Sequence, residues 1–305
     1  MKISTSYFFD RAAQQVSAAQ NRVATTQAQV ATGKQLVAAS DNPQQALVIE
    51  RLRTAMSRQE TLAANLQTVQ RRYQAEETAL RSSSDLLIRM KELTIQAANG
   101  TIGSTGRAVI AVELQSLRAQ MLGVVNARDD QGQSLFAGTR VQSAAFSESD
   151  GQVTYDGDQT PVRITSGDQR LQQYNRSGTD TFNRVIRETS DGPQAVGFFD
   201  AIDDLIEAVQ TNSQPDLQRG IAEMDTLQSG VSLALAETGA DQNNVESQQA
   251  VIEETVLRLK TTLSDVEDLD YTEAVTRMNK QMLSLEAAMS SFAKVSQLSL
   301  FDYLR

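Results

Sequence analysis

MNKQMLSLEAAMSSF, residues 278–292, places Met278, Met282, Leu285, Met289 and Phe292 at spacings of four, three, four and three. That rhythm draws an apolar seam along one side of an α-helix. Tyr271 and Val275, just upstream, fall in the same register. Few residues follow the seam in the sequence. Its packing partner is therefore expected elsewhere in the chain or on another copy.

A matching seam lies near the start. Phe9, Ala12, Val16, Ala19, Val23, Thr26 and Val30 alternate spacings of three and four. Their side chains are mostly small, so a partner helix can approach closely, and Gly33 offers a helix stop. In VAASDNPQQALVIERL, Asn42 and Pro43 read as an N-cap and a first helical position. The residue before a proline resists the α conformation, so one helix ends before this joint and another begins at it. The new seam keeps its four-three rhythm from Val48 to Met90, through Leu52, Leu62, Leu66, Val69, Tyr73, Leu80 and Leu87. Gln59, Glu76 and Ser83 interrupt it as polar residues that either fix register or weaken packing.

NGTIGSTG, residues 99–106, reads as a loop. A shorter helix follows, with Ile110, Leu114, Leu117, Met121 and Val124, and RDDQGQ ends it. From about 133 to 192 the chain is rich in Gly, Asp, Ser and Thr. QVTYDGDQTPVRIT predicts two short strands around a turn. Asp156 and Asp158 lack the rest of a calcium loop and read as turn residues. Asn175-Arg176-Ser177 fits a glycosylation sequon that is common by chance. Helical pattern returns at about 194, with Phe198, Ile202, Leu205 and Val209. Pro215 opens a helix whose seam runs from Leu217 to Val266 and passes Gly239 without a slip. The register then shifts by one residue before Tyr271. Asp270 and Glu273 resemble a capping box, which places a second joint at 267–270.

Composition narrows the chemistry. The 305 residues contain no His and no Cys. Disulfides, thiolate metal sites and Ser-His-Asp or Cys-His catalysis are excluded. No catalytic, cofactor or metal site is expected. The adjacent pairs Asp129-Asp130, Asp203-Asp204 and Glu253-Glu254 should diverge onto solvated faces. Residues 1–140 carry 16 Lys+Arg and 11 Asp+Glu, a net of +5, while residues 141–305 carry 12 and 27, a net of −15. The overall acidity argues against a nucleic-acid partner. No apolar run approaches the roughly 18 residues that span a bilayer, so membrane insertion is not expected. The opening MKISTSYFFDRAAQQ has no h-region of a secretory signal.

The layout is nearly symmetric in chain order: outer helix, joint, long helix, β-rich insertion, long helix, joint, outer helix. The expected fold is mainly α. It is an elongated antiparallel bundle of long coiled-coil helices formed by both chain ends, with the small insertion at the distal tip. Three parts follow: terminal polymerisation helices at 1–42 plus 268–305, a long-helix bundle at 43–132 plus 194–267, and a β-rich outer insertion at 133–193. The terminal pair has a slender core. It is expected to be marginal and disordered in a free monomer, and firm once neighbouring copies cover its other faces. The expected assembly interface is Phe9, Val16, Val23, Val30, Tyr271, Val275, Met278, Met282, Leu285, Met289 and Phe292, with joints at Asn42, Pro43 and Asp270.

At these residues the chain resembles the flagellin family. ASDNPQQALVIERL is similar to the segment opening that family's long N-terminal helix. DYTEAVTRMNKQMLSLEAAMSSFAKVSQLSLFDYLR is similar to its C-terminal segment. GQSLFAGTR at 132–140 and the opening MKISTSYFFDRAAQQV resemble the branch that joins hook to filament. The likeness covers about three quarters of the chain and is weak over the insertion. It implies a structural subunit of the bacterial flagellum, exported through the type III apparatus with an export chaperone and without signal cleavage. It also implies a thin ring of copies between a hook-side junction protein and flagellin, with the termini lining the inner tube. A short filament flagellin is the alternative within the family. A cytosolic coiled-coil adaptor is the alternative from another class.

Overall fold

Three-four periodicity becomes helix wherever the sequence shows it. The computed structural model describes residues 2–167, 170–182, 184–189 and 192–303, without the side chains of 2–6, 8, 9, 189 and 295–303. Helix α1 (Lys2–Thr32) ends where Gly33 turns to φ +70°. Helix α2 (Pro43–Ala97, 55 residues) starts at the proline, and Asn42 Oδ1 accepts from the Gln45 N–H at 3.1 Å. After α3 (Ser104–Val125) come β1 (Phe146–Ser149), β2 (Gln152–Tyr155), β3 (Arg163–Thr165), β4 (Leu171–Gln173), the single turn α4 (Gly178–Thr181), β5 (Val185–Thr189) and β6 (Gly192–Val196). Helices α5 (Phe198–Thr211), α6 (Gln214–Glu267) and α7 (Tyr271–Tyr303) complete the order. The protein is mainly α, and α6 runs unbroken through Gly239 for 54 residues.

Among the described residues the strands form three separate antiparallel hairpins: β1–β2, β3–β4 and β5–β6. This corrects the reading of QVTYDGDQTPVRIT as one hairpin. Its two strands exist but pair elsewhere, β2 with β1 and β3 with β4. The reason is Asp158. Its Oδ1 accepts from the backbone N–H groups of Thr139 (3.1 Å) and Thr160 (2.9 Å), and the Thr139 hydroxyl also binds the carboxylate. The segment is thereby tied to the loop at 138–139 instead of folding β3 back on β2. The turn closing β1–β2 is Asp150-Gly151, both at positive φ (54° and 81°), the backbone an Asp-Gly hairpin favours. A second correction concerns the region from 194. Residues 192–196 pair as β6, with Val196 opposite Val185, and helix begins only at Phe198 after the N-cap Gly197.

A third correction concerns α3. By length and composition alone it is long and apolar enough to cross a membrane. Arg107, Glu113 and Arg118 punctuate it and hid it from a search for uninterrupted runs. Its Ile110, Leu114, Leu117, Met121 and Val125 are buried in a protein core.

The chain divides into two compact units, residues 1–60 with 254–305 and residues 61–253. In the second, α2 and α6 run antiparallel. Partners of rising number on α2 meet falling numbers on α6: Gln70 with Glu246 (3.5 Å), Glu77 with Gln242 (2.9 Å) and Lys91 with Asp225. Leu87, Met90 and Leu93 of α2 join Leu114 and Met121 of α3, Ile202 of α5 and Met224 of α6 in one core. A chain of edge-on rings extends it under the hairpins, with Phe136–Phe182 at 5.1 Å and Phe182–Phe198 at 5.4 Å between centroids. Fully buried side chains of this size anchor the unit at roughly 1.5–3 kcal/mol each.

The first unit is thinner. Helices α1 and α7 pack against each other in antiparallel order, and the ends of α2 and α6 meet through Arg53 and Glu267. Among the described residues, Ile49 and Leu269 are its only large apolar side chains under a tenth exposed.

Candidate assembly surface

The breaks between α1 and α2 and between α6 and α7 clasp one another. Lys34 and Asp268 form an antiparallel bridge. The Gln35 N–H donates to Glu267 O (2.8 Å) and the Leu269 N–H to Gly33 O (2.9 Å). Glutamine amides fasten the rest. Gln29 Nε2 donates to Gln35 O (2.6 Å), Gln35 Nε2 to Asp268 O (2.9 Å) and Gln45 Nε2 to Val266 O (2.6 Å). These bonds satisfy the carbonyls left free where α6 ends. Asp270 starts α7 by accepting from the N–H groups of Thr272 (2.9 Å) and Glu273 (3.1 Å). The buried Glu267 carboxylate takes Lys34 at 2.5 Å and Arg53 at 2.6 Å, and Lys34 above all holds its pKa below the usual carboxylate range.

Gly33 is the pivot. At φ +70° a Cβ would be strained, and it would stand 2.7 Å from the Tyr271 hydroxyl. Gly33→Ala is expected to lower the stability of the first unit by about 1–2 kcal/mol. Limited proteolysis should then cut α1 and α7 faster than in the parent chain, with Gly33→Asn closer to normal because asparagine tolerates this backbone. Equal protection of Gly33→Ala would show that the pivot does not need glycine.

The α1 seam points inward. Val16, Val23 and Val30 are half-buried and Thr26 is buried, while the Phe9 side chain lies outside the described residues. The line meeting it on α7 is Ala274, Met278, Gln281, Leu285, Ala288 and Phe292, again at four-three spacing, all buried or half-buried. At its centre Thr26 Oγ1 donates to Gln281 Oε1 at 2.8 Å. The seam read from sequence is therefore divided. Met278, Leu285 and Phe292 face α1. Tyr271, Val275, Met282 and Met289 do not, and with Leu283 they stand 39–68% exposed. Met282, Leu283 and Met289 edge an open cleft of about 660 Å³ that reaches in to Val23 and Leu285. So many exposed large apolar side chains along one helix are what an association surface presents before its partner arrives.

The acidic pairs at 129–130 and 203–204 diverge onto separate cations, but Asp129 departs from the expected solvated face, its side chain being 4% exposed because it pairs with the buried Arg72. Asp129 goes to Arg72, Asp130 to Arg71, Asp203 to Arg118 and Asp204 to Arg187. No group of three carboxylates among the described residues could hold a metal ion. The middle of GQSLFAGTR is interior: Ser134 through Ala137 are buried, and its carbonyls accept from Arg72, Tyr155 and Gly178, while Thr139 and Arg140 are exposed. The sequence reading missed Arg72 and Arg176, each of which joins distant segments. Only their placement among apolar and turn residues hinted at burial.

Against known proteins, residues 3–141 match the bacterial flagellin N-terminal helical region and residues 221–304 match the bacterial flagellin C-terminal helical region. The chain belongs to the flagellin family, a class of structural proteins without enzymatic activity, and is a component of the extracellular flagellum. Within that class it is 28% identical to flagellar hook-associated protein 3 of Escherichia coli strain K12 over 291 residues, 90% of each chain. It is 23% identical to flagellin FlaB1 of Treponema pallidum over 278 residues, 90% of each. In fold it is similar to the flagellar junction protein FlgL of Legionella pneumophila, with a TM-score of 0.62 and 17% identity, covering 72% of this chain and all of the other.

Proposed function

We propose that this protein is the hook–filament junction subunit, hook-associated protein 3, and that copies associate through α7. The observation that carries the junction role is the similarity to hook-associated protein 3 along nine tenths of both chains. The surface is the exposed line Tyr271, Val275, Met282, Leu283 and Met289, backed by the half-buried residues Val16, Val23, Val30, Met278, Leu285 and Phe292 of the α1–α7 pair. The joints at Asn42, Pro43 and Asp270 set the angle at which the terminal segments, 1–42 and 268–305, leave the long helices. Neighbouring copies stabilise those segments, a hook-side junction protein lies on one side of the assembly, and flagellin lies on the other. The chain reaches its position through the type III export apparatus with a dedicated chaperone.

A strain lacking the gene tests the role. Electron microscopy should show completed hooks without filaments, and the medium should contain abundant soluble flagellin. Missing filaments with no flagellin outside the cells would favour the second reading, a filament flagellin, which the likeness to the Treponema protein supports. Normal filaments would overturn both.

A further inference from the structure

Glu76 interrupts the apolar seam of α2, and its surroundings give it work. It is 1% exposed. Its Oε1 accepts from Thr238 Oγ1 of α6 at 3.0 Å and lies 2.5 Å from Nε of Arg176. Arg176 lies three residues past the end of β4, and its other nitrogens reach Glu237 (2.6 Å) and Asp241 (3.1 Å) on α6. Three carboxylates thus share one guanidinium that is only 14% exposed. The nearby Arg72 offers little relief, because it is paired with Asp129 at 2.8 Å. Tyr73 on α2 faces the same cavity of about 280 Å³ as Arg176, Glu237 and Asp241, and its hydroxyl donates to Gln173 O at 2.5 Å. Asn175, next to Arg176, is buried as well, and its Oδ1 accepts from the Val162 N–H at 2.6 Å. The cluster is therefore where the β3–β4 hairpin is tied to the α2–α6 pair.

We propose that the Glu76–Arg176–Glu237–Asp241 cluster is a proton-operated clasp that fastens the β3–β4 hairpin to α2 and α6, and that it tightens when Glu76 takes up a proton. At neutral pH the clasp carries more negative than positive charge, with Glu237 and Asp241 reaching solvent and the Glu76 carboxyl 1% exposed at its inner end. Neutralising the innermost carboxyl leaves Arg176 paired with Glu237 and Asp241, and a neutral carboxyl at Glu76 needs no cation. Burial pushes the Glu76 pKa up to about 6, against the opposing pull of Arg176, and burial raises Asp241 in the same direction. Tyr73 is pushed up to about 12, chiefly by burial, so it stays neutral throughout. A carboxyl whose pKa is higher folded than unfolded binds its proton more tightly in the folded state. Its contribution is fully present below about 4.5 and is lost as the pH rises through about 6.

The test is amide exchange of the intact chain, corrected for intrinsic rates. The reporter is the Tyr174 N–H, which donates to Val162 O at 2.8 Å. Its protection should rise about tenfold from pH 7.5 to pH 5. Glu76→Gln should hold the acid value at both pH values. Protection of the parent chain that does not change with pH overturns the clasp, whether or not the variant folds. A variant retaining the parent's full pH response overturns the assignment to Glu76.

Discussion

Replacing Met282 and Met289 together by glutamate is expected to leave the chain folded and exported but, on the proposed α7 contact, to stop it from assembling. Both side chains are about half exposed, and neither lies on the line that meets α1. Surface changes of this kind usually alter stability by no more than about 0.5 kcal/mol. Assembly is another matter. Each methionine would give roughly 1.5–3 kcal/mol on burial against a neighbour. A glutamate in its place must also be stripped of water without a cation assigned to it, which adds a penalty of several kcal/mol. If copies meet through α7 as proposed, the loss recurs at every such contact. Cells carrying the double variant should show bare hooks, flagellin in the medium, and the variant chain itself in the medium at normal levels. Ser284→Glu, exposed and in neither line, serves as the control and should leave filaments intact. Filaments on the double variant would mean that the exposed line of α7 is not the contact.

The division of the α7 seam shows where sequence reading reaches its limit. A four-three rhythm identifies a helix and an apolar side, but two lines that differ by one residue at alternate positions fit the same pattern. Ala274, Gln281 and Ala288 were not read as seam positions because two are small and one is polar. Yet small side chains are what let α1 come close, and Gln281 has Thr26 to bind. The joints were legible because they rest on local chemistry: a glycine at positive φ, an Asn-Pro start, an aspartate cap. The hairpins were less so. Strands of three to five residues take their partners from distant ties, such as Asn126, whose amide brackets Phe146 through two 2.8 Å bonds. No periodicity records such a tie. Glu76 is the sharpest case. It read as a break in the seam, and its meaning depends on Arg176, one hundred residues downstream.

Arg72→Ala is expected to destabilise the second unit by about 3–5 kcal/mol, a large share of a typical domain's 5–15. Arg72 is 2% exposed. Nη1 donates to Asp129 Oδ2 at 2.8 Å, and Nη2 donates to the carbonyls of Ser134 (2.8 Å) and Leu135 (3.3 Å). The guanidinium also lies 4.7 Å from the centre of the Tyr174 ring. Truncation leaves a buried carboxylate without its cation and two buried carbonyls short of a donor. Asp129 cannot simply turn to solvent, because its Oδ1 holds the N–H groups of Gln131 (2.9 Å) and Gln133 (2.8 Å). Arg72→Lys should recover only part of the loss, since an ammonium keeps the charge but not the fork that spans carboxylate and carbonyls. Arg72→Met combined with Asp129→Asn should recover more than Arg72→Met alone, because the stranded charge is gone and the turn keeps its acceptor. Urea unfolding of the four variants separates these cases. A loss below 1 kcal/mol for Arg72→Ala would mean that the ion pair is dispensable. The larger loss would give GQSLFAGTR a physical role: its carbonyls hold an arginine of α2 inside the protein.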